Sequence, residues 1–257
     1  MNLWEEIYMD DWKQQIVLAS VPLWKYNAQQ FPLANASGCL IDYKGARFIL
    51  SIAHASIAGD EWNFEVQTTK TWEDGTVGTL IQPINMQFLT EFHLLENKTD
   101  FTEPKVVDFT YLKIKKEIES LQIIPFSDGS AAMAKRTVFT PNFEKKPDER
   151  KRYGFYGQVR FSGVEGKRIV FENRLEDNLE YIGKQGHEYV FKLPHPYGSH
   201  KNYQGCSGAP IIDEDGELVG LVSYGLKETN CIYATDINRY RAALDIEAGP
   251  PLPKAPK

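Results

Sequence analysis

Three cysteines, Cys39, Cys206 and Cys231, are all that 257 residues contain, and no two of them form a CxxC pair. An odd number without that spacing argues against a disulfide framework and against a structural zinc site, so free thiols and no metal centre are expected. Long apolar runs are missing too: none approaches the roughly 18 residues of a membrane-spanning helix. Positive charge is scarce. Against 35 acidic residues stand 29 Lys and Arg, for a net charge of −6, which disfavours a nucleic-acid surface. The densest basic stretch, KKPDERKR at Lys145 to Arg152, is broken by a proline and two acids and reads as a solvated loop. The first residues, MNLWEEIYMDDWKQQIVLAS, carry acids where a secretory signal would be basic and have no unbroken apolar centre, so a cytoplasmic location is expected. No repeat with a period of 20 to 50 residues is visible, and no motif asks for a cofactor.

What is present is mostly strand. GCLIDYKGARFILSIAH, VVDFTYLKI, KRIVFENRL, HEYVFKL and APIIDEDGELVGLVSYG alternate or bunch apolar and β-branched residues over four to eight positions, which predicts an all-β fold. Two tight turns punctuate it, DYKGAR at Asp42 to Arg47 and DEDGEL at Asp213 to Leu218. The acids of the second invite a calcium reading, but the pattern runs straight into a strand and lacks the distal Glu of a calcium loop. Helices are expected only at the ends. Trp4, Ile7, Tyr8, Trp12 and Ile16 fall on one helical face near the start, and TDINRYRAALDI, with Asp236 as a possible cap, precedes the proline-rich GPPLPKAPK. The tryptophans Trp4, Trp12, Trp24, Trp62 and Trp72 are read as core or helix packing, or as an aromatic face for a partner protein.

The stretch NYQGCSGAPII, Asn202 to Ile212, sets two nucleophile types side by side, Cys206 and Ser207. A serine hydroxyl needs an imidazole to take its proton, a carboxylate to orient that imidazole, and amides to receive an oxyanion. His54 follows an apolar strand in RFILSIAHAS, Asp108 interrupts one in VVDFTYLKI, and glycines flank the nucleophile pair. An ionised carboxylate within an apolar strand is costly unless a donor meets it. Each piece alone is ordinary; the three together, each at or within a strand, point to a Ser–His–Asp arrangement.

These same residues carry a family likeness. The chain resembles the trypsin-like, chymotrypsin-fold serine peptidases: GCLIDYKGARFILSIAHAS is similar to the strand pair ending in TAAHC, VDFTYLKI to DIALLKL, GCSGAP to GDSGGP, LVGLVSYG to GIVSWG, and CIYATDINRYRAAL to GVYTRV with its following helix. The resemblance spans about Ala34 to Leu244, weakly between Leu121 and Lys192, and is to the intracellular bacterial branch. It implies two antiparallel six-stranded β-barrels, with residues 1–20 as a helical extension, 21–125 as the first barrel, 126–246 as the second barrel with a C-terminal helix, and 247–257 as a tail. It implies a serine endopeptidase acting on proteins or peptides, with His54 as base, Asp108 orienting it, Ser207 as nucleophile, and the amides of Gly205 and Ser207 as oxyanion hole. A use of the fold as a regulatory or binding module, or a peptidase silent until a partner docks, is the alternative.

Departures from the family pattern matter as much. Cys206 stands one residue before the family's nucleophile, where digestive members keep an Asp that pairs with a newly cut N-terminus. No IVGG-like segment is present for such a pairing. Asp100, in NKTDFTEP, is a second candidate for the orienting carboxylate, though its neighbours read as a loop whereas Asp108 leads into YLKI. Counting six residues back from Ser207 puts Lys201 at the base of the side-chain pocket, with His200 beside it, Ser223 and Gly225 as walls and Cys231 near the back. A cation there implies preference for an acidic residue before the scissile bond. His93, His187 and His195 lack partners at metal spacing and are read as structural.

Overall fold

The structure, a computed structural model, describes residues 11–28, 31–56, 62–71, 77–91, 94–95, 98–99, 105–125, 131–164 and 168–249. Trp4, Ile7, Tyr8, Trp72, His93, Asp100 and the proline-rich tail from 250 onward lie outside the described residues. The first sheet is built from β1 (Val21–Tyr26), β2 (Pro32–Tyr43), β3 (Ala46–Ser51), β4 (Trp62–Thr71), β5 (Val77–Ile84) and β6 (Gln87–Glu91). A short ribbon of β7 (Leu94–Leu95) and β8 (Lys98–Thr99) precedes its last long strand, β9 (Lys105–Ile114). The strand order is β5-β4-β1-β2-β3-β9-β6. A hairpin of β10 (Leu121–Pro125) and β11 (Ala131–Lys135) follows, and β12 (Val138–Phe139) then returns to pair in parallel with Leu40 and Ile41 of β2.

The second unit comprises β13 (Arg152–Val164), β14 (Arg168–Gln185), β15 (Glu188–Lys192), β16 (Pro210–Asp213), β17 (Leu218–Leu226) and β18 (Cys231–Thr235). Its six strands close into a barrel in the order β13-β14-β15-β18-β17-β16. The all-β fold and one six-stranded barrel are as the sequence led us to expect. The other differs: among the described residues the first sheet stays open between β5 and β6 and includes one parallel pair.

Why GCLIDYKGARFILS reads as a nearly unbroken apolar run is clear from its two faces. Cys39, Ile41, Phe48 and Leu50 point into a core shared with Tyr156, Ile212 and Leu221 of the barrel, while Leu40 and Ile49 join Val21, Leu23, Trp62 and Phe64 on the sheet's other side. Side chains of a strand alternate between faces, so a strand covered on both is apolar throughout. Each buried Phe or Leu here contributes about 1.5–3 kcal/mol of apolar burial. The turn between β2 and β3 has only Lys44 and Gly45, both with positive φ (46° and 85°), which is the two-residue hairpin geometry whose twist matches the strands.

Helix α1 (Asp11–Ala19) closes the shared core with Trp12, Ile16 and Val17, and the Trp12 indole donates to the carbonyl of Asp177 on β14 at 2.9 Å. Trp24 and Trp62 are buried as well, so the three described tryptophans pack inward. At the other end Asp236 does act as a cap, but of a 3₁₀ turn at Ile237–Tyr240, accepting from the Asn238 amide at 3.0 Å. Helix α2 begins only at Arg241 and runs to Ala248.

The two aspartates of DEDG are paired with lysines, and Glu214 with Arg152 at 3.2 Å. Asp213 is fully buried and takes Lys145 at 3.0 Å and Lys151 at 2.9 Å, while its other oxygen accepts the amides of Asp215 and Glu217. Two lysines of the basic stretch are therefore anchored on the barrel rather than solvated throughout. All three cysteines are free and buried.

Candidate active site

The antiparallel register of β3 on β9 sets the first half of the site. Ser51 pairs with Thr110, and past Ser51 the chain curls so that the Ser56 amide and hydroxyl both reach the Ile52 carbonyl. The Ser56 hydroxyl also meets Thr110 Oγ1 at 3.1 Å, which pins this turn to β9. His54, at the crest, comes back over Asp108. Its backbone amide donates to Asp108 Oδ1 at 2.9 Å, and its ring Nδ1 lies 3.0 and 2.9 Å from the two carboxylate oxygens. Acceptors on that side fix the proton on Nδ1 and leave Nε2 as the acceptor, a tautomer assigned from the hydrogen-bond network.

Nε2 of His54 is 3.1 Å from the Ser207 hydroxyl oxygen. Ser207 sits on a turn closed by the Cys206 amide on the Tyr203 carbonyl (3.0 Å) and the Ala209 amide on the Cys206 carbonyl (2.9 Å). Gly208 follows with φ of +88°, and a Cβ there would collide with the Ser37 carbonyl and the Ser51 hydroxyl of the first sheet, so this position takes only glycine. The Gly208 amide donates to the Val222 carbonyl at 2.7 Å and the Ser37 amide to the Ser207 carbonyl at 3.0 Å, tying the turn to both halves of the molecule. Among the described residues the amides of Gly205 and Ser207 have no protein acceptor.

Ser223 completes the arrangement from an irregularity in the barrel. The β17–β18 register shifts between Val222 and Tyr224, leaving Ser223 unpaired in a bulge. From there its carbonyl accepts the Ser207 hydroxyl at 2.9 Å and its own hydroxyl donates to Asp108 Oδ2 at 3.2 Å. The single Ser207 proton thus has two acceptors, the Ser223 carbonyl and His54 Nε2. Burial pushes the Asp108 carboxyl up, but the hydrogen bonds from the His54 ring and backbone and from the Ser223 hydroxyl outweigh it and hold Asp108 below its ordinary value.

Cys206 has no part in this line. Its thiol is wholly buried and held far above the ordinary thiol range, first by burial and second by the charge of Glu176. An exposed thiolate, which a cysteine nucleophile requires, is not on offer.

Beside His54 and Ser207 lies a cleft of ≈ 300 Å³ whose walls include Tyr197, His200, Tyr203, Ser223, Tyr224 and Gly225. Lys201 is not among its lining residues; it is exposed on a 3₁₀ turn, His200–Asn202, while His200 faces the cleft and approaches the Tyr197 hydroxyl at 3.4 Å. Counting along the chain misplaced Lys201 because adjacent residues of a 3₁₀ turn point about 120° apart. Tyr197 occupies the space opened by Gly225: a Cβ on Gly225 would lie 2.7 Å from the Tyr197 hydroxyl oxygen. Cys231 is buried on β18 with Val190 and Tyr233 and does not line the cleft.

No protein-family model matches the chain, and no curated protein matches it. Among solved structures the chain is similar to human heparin binding protein, with 13% identity, a TM-score of 0.52, and 94% of this chain and 96% of that one covered. A second structure of that protein gives 13% identity, a TM-score of 0.50 and 93% and 96% coverage. Heparin binding protein has a chymotrypsin-like fold. The chain has the trypsin-like serine peptidase fold. The chain also has 13% identity to Rv3671c protease in an inactive form, with a TM-score of 0.43 and 93% of each chain covered.

Within the trypsin-like fold, the structure brings His54, Ser207, Gly205, Ser223 and Gly225 to one cleft, sets Asp108 against His54, and leaves Lys201 outside the cleft's lining. Three groups escaped the sequence reading. In the sequence Ser223 reads only as a pocket wall, Tyr197 lies between a proline and a glycine with nothing to mark it, and Glu176 is one of four acids in FENRLEDNLE. His187 is exposed, and His195, read as structural, contacts Glu176 at 2.8 Å.

Proposed function

We propose that the protein is a serine endopeptidase that cleaves peptide bonds through an acyl-enzyme on Ser207. One observation carries this reading: His54 spans Asp108 and Ser207 with heavy-atom distances of 2.9 and 3.1 Å, within reach for proton transfer in both directions. The Ser207 hydroxyl attacks the carbonyl carbon of the scissile bond while Nε2 of His54 takes its proton. Asp108 holds the resulting imidazolium, its carboxylate already below the ordinary range. The two acceptor-free amides, of Gly205 and Ser207, receive the oxyanion. His54 returns its proton to the departing amine, and water then repeats the sequence to release the acyl group and restore Ser207.

For the side chain before the scissile bond, Lys201 stands outside the cleft, so the acidic preference has lost its cation. The Tyr197 ring packed against Gly225 makes the pocket shallow, which favours a small residue such as Ala, Ser or Gly. Three free, buried thiols support a reducing compartment. The test is digestion of unfolded casein by the purified chain, with Ser207→Ala beside it. Peptide release that Ser207→Ala abolishes supports the endopeptidase; a folded wild-type protein that releases none favours a binding module.

A further inference from the structure

Beneath the nucleophile turn is a carboxylate that the triad does not use. Glu176, on β14, is 2% exposed, and Arg174, two residues before it on the same strand, meets it together with Tyr203 and His195 from distant parts of the chain. Arg174 Nε is 2.6 Å and the Tyr203 hydroxyl 2.8 Å from Oε1, and His195 Nε2 is 2.8 Å from Oε2. Arg174 also reaches the Tyr203 hydroxyl at 3.3 Å and His195 Nε2 at 3.1 Å, with its guanidinium carbon 5.2 Å from the centre of the Tyr203 ring. Burying a carboxylate costs several kcal/mol, which partners of good geometry offset. What such a cluster gives in return is fixed placement of whatever it grips.

Its grip is on Tyr203. The carbonyl of this residue accepts the Cys206 amide at 3.0 Å, closing the turn over Gly205, whose φ is +91°, and Ser207 is the next residue after Cys206. On the barrel side Gly157 of β13, paired with Arg174, leaves room for the turn to settle: a Cβ on it would lie 2.8 Å from Cys206 Cα. Cys206 itself brings no charge to the turn. Glu176 meets the turn through the Tyr203 hydroxyl at 2.8 Å.

We infer that Glu176 is a positioning residue, holding the Tyr203–Ser207 turn through the Tyr203 hydroxyl so that the Gly205 and Ser207 amides stand ready. This rests on the peptidase reading for its catalytic consequence, but not for the ordering of the turn, and the two are tested separately. Glu176→Gln and Tyr203→Phe are compared with wild type by hydrogen exchange, by melting temperature, and by kcat and KM on a peptide ester. The inference predicts faster exchange confined to the peptide covering residues 198–208 in both variants, with exchange of β17 and β18 unchanged. It also predicts kcat lower by roughly ten- to a hundredfold with KM little changed, since small misplacements of reacting groups cost that much. Unchanged exchange at 198–208, or faster exchange across the whole barrel with a matching fall in melting temperature, overturns it and leaves Glu176 a structural ion pair. If wild type is inactive on the ester while the exchange pattern holds, the peptidase reading fails and the positioning of the turn stands.

Discussion

The amide of Ser37 on β2 donates to the carbonyl of Ser207 at 3.0 Å, so the first sheet holds the turn on which the barrel carries Ser207. The Ser37 hydroxyl donates to the Gly205 carbonyl at 2.9 Å, and the Ser37 carbonyl accepts the Ser51 hydroxyl at 2.7 Å. One residue of the first sheet therefore touches the turn before and after Cys206. The site depends on how the two halves pack, not on either half alone.

Gly208→Ala tests that packing directly. The new Cβ would strike Ser37 and Ser51 at a φ of +88° that side chains avoid. A loss of roughly 3–5 kcal/mol is expected, the sum of strain and a backbone clash. Urea unfolding measures it, and Ser207 should lose its reactivity even where the variant still folds.

Asp108→Asn keeps the shape of the side chain but offers His54 a donor as well as an acceptor. Activity at neutral pH is expected to fall by about 10⁴-fold, as wrong-tautomer variants of such triads do. The linked effect on stability has a definite sign. Because Asp108 is held below its ordinary value, its partnership with His54 and Ser223 stabilises the fold above the unfolded-state value of about 3.9 and is lost as pH falls through the folded one. Unfolding measured from pH 6 downward should show wild type losing stability more steeply than Asp108→Asn below about pH 4.

Cys206→Ala should leave a reactive Ser207, since the thiol is buried and held far above the ordinary range. In the native protein at pH 8, iodoacetamide should label none of the three cysteines, all buried, and after unfolding it should label all three. Rapid native labelling of Cys206 would reopen the choice of nucleophile.

Cleavage profiling tests Tyr197. Wild type should favour Ala, Ser or Gly before the scissile bond over Phe or Glu by roughly 10- to 100-fold, the scale at which a filled pocket discriminates. Tyr197→Ala should shift preference toward Leu and Phe. A wild-type preference for Glu would restore the acidic reading, with His200 in place of Lys201.

Much of the fold was legible because its signals are local. The Lys44–Gly45 turn and the strands on either side follow from a tight-turn glycine between apolar runs, and His54, Asp108 and Ser207 each sit in a segment with its own pattern. What escaped depends on register or on distant partners. Ser223 acts because a bulge turns both its carbonyl and its hydroxyl to the site, and a bulge leaves no mark in LVSYG. Glu176 meets Tyr203 and His195 across 27 and 19 positions, so no spacing shows the cluster. Counting back from Ser207 reaches Lys201 and not His200 because a 3₁₀ turn upsets the count, and Asp236 reads as the cap of α2 because the 3₁₀ turn before that helix has no signature of its own.

The most direct test is the intact mass of the purified protein after treatment with a fluorophosphonate, beside His54→Ala and Ser207→Ala. An assembled triad predicts one adduct on wild type, absent from Ser207→Ala and lost or strongly slowed in His54→Ala. Wild-type protein that is folded by circular dichroism and stays unmodified contradicts it.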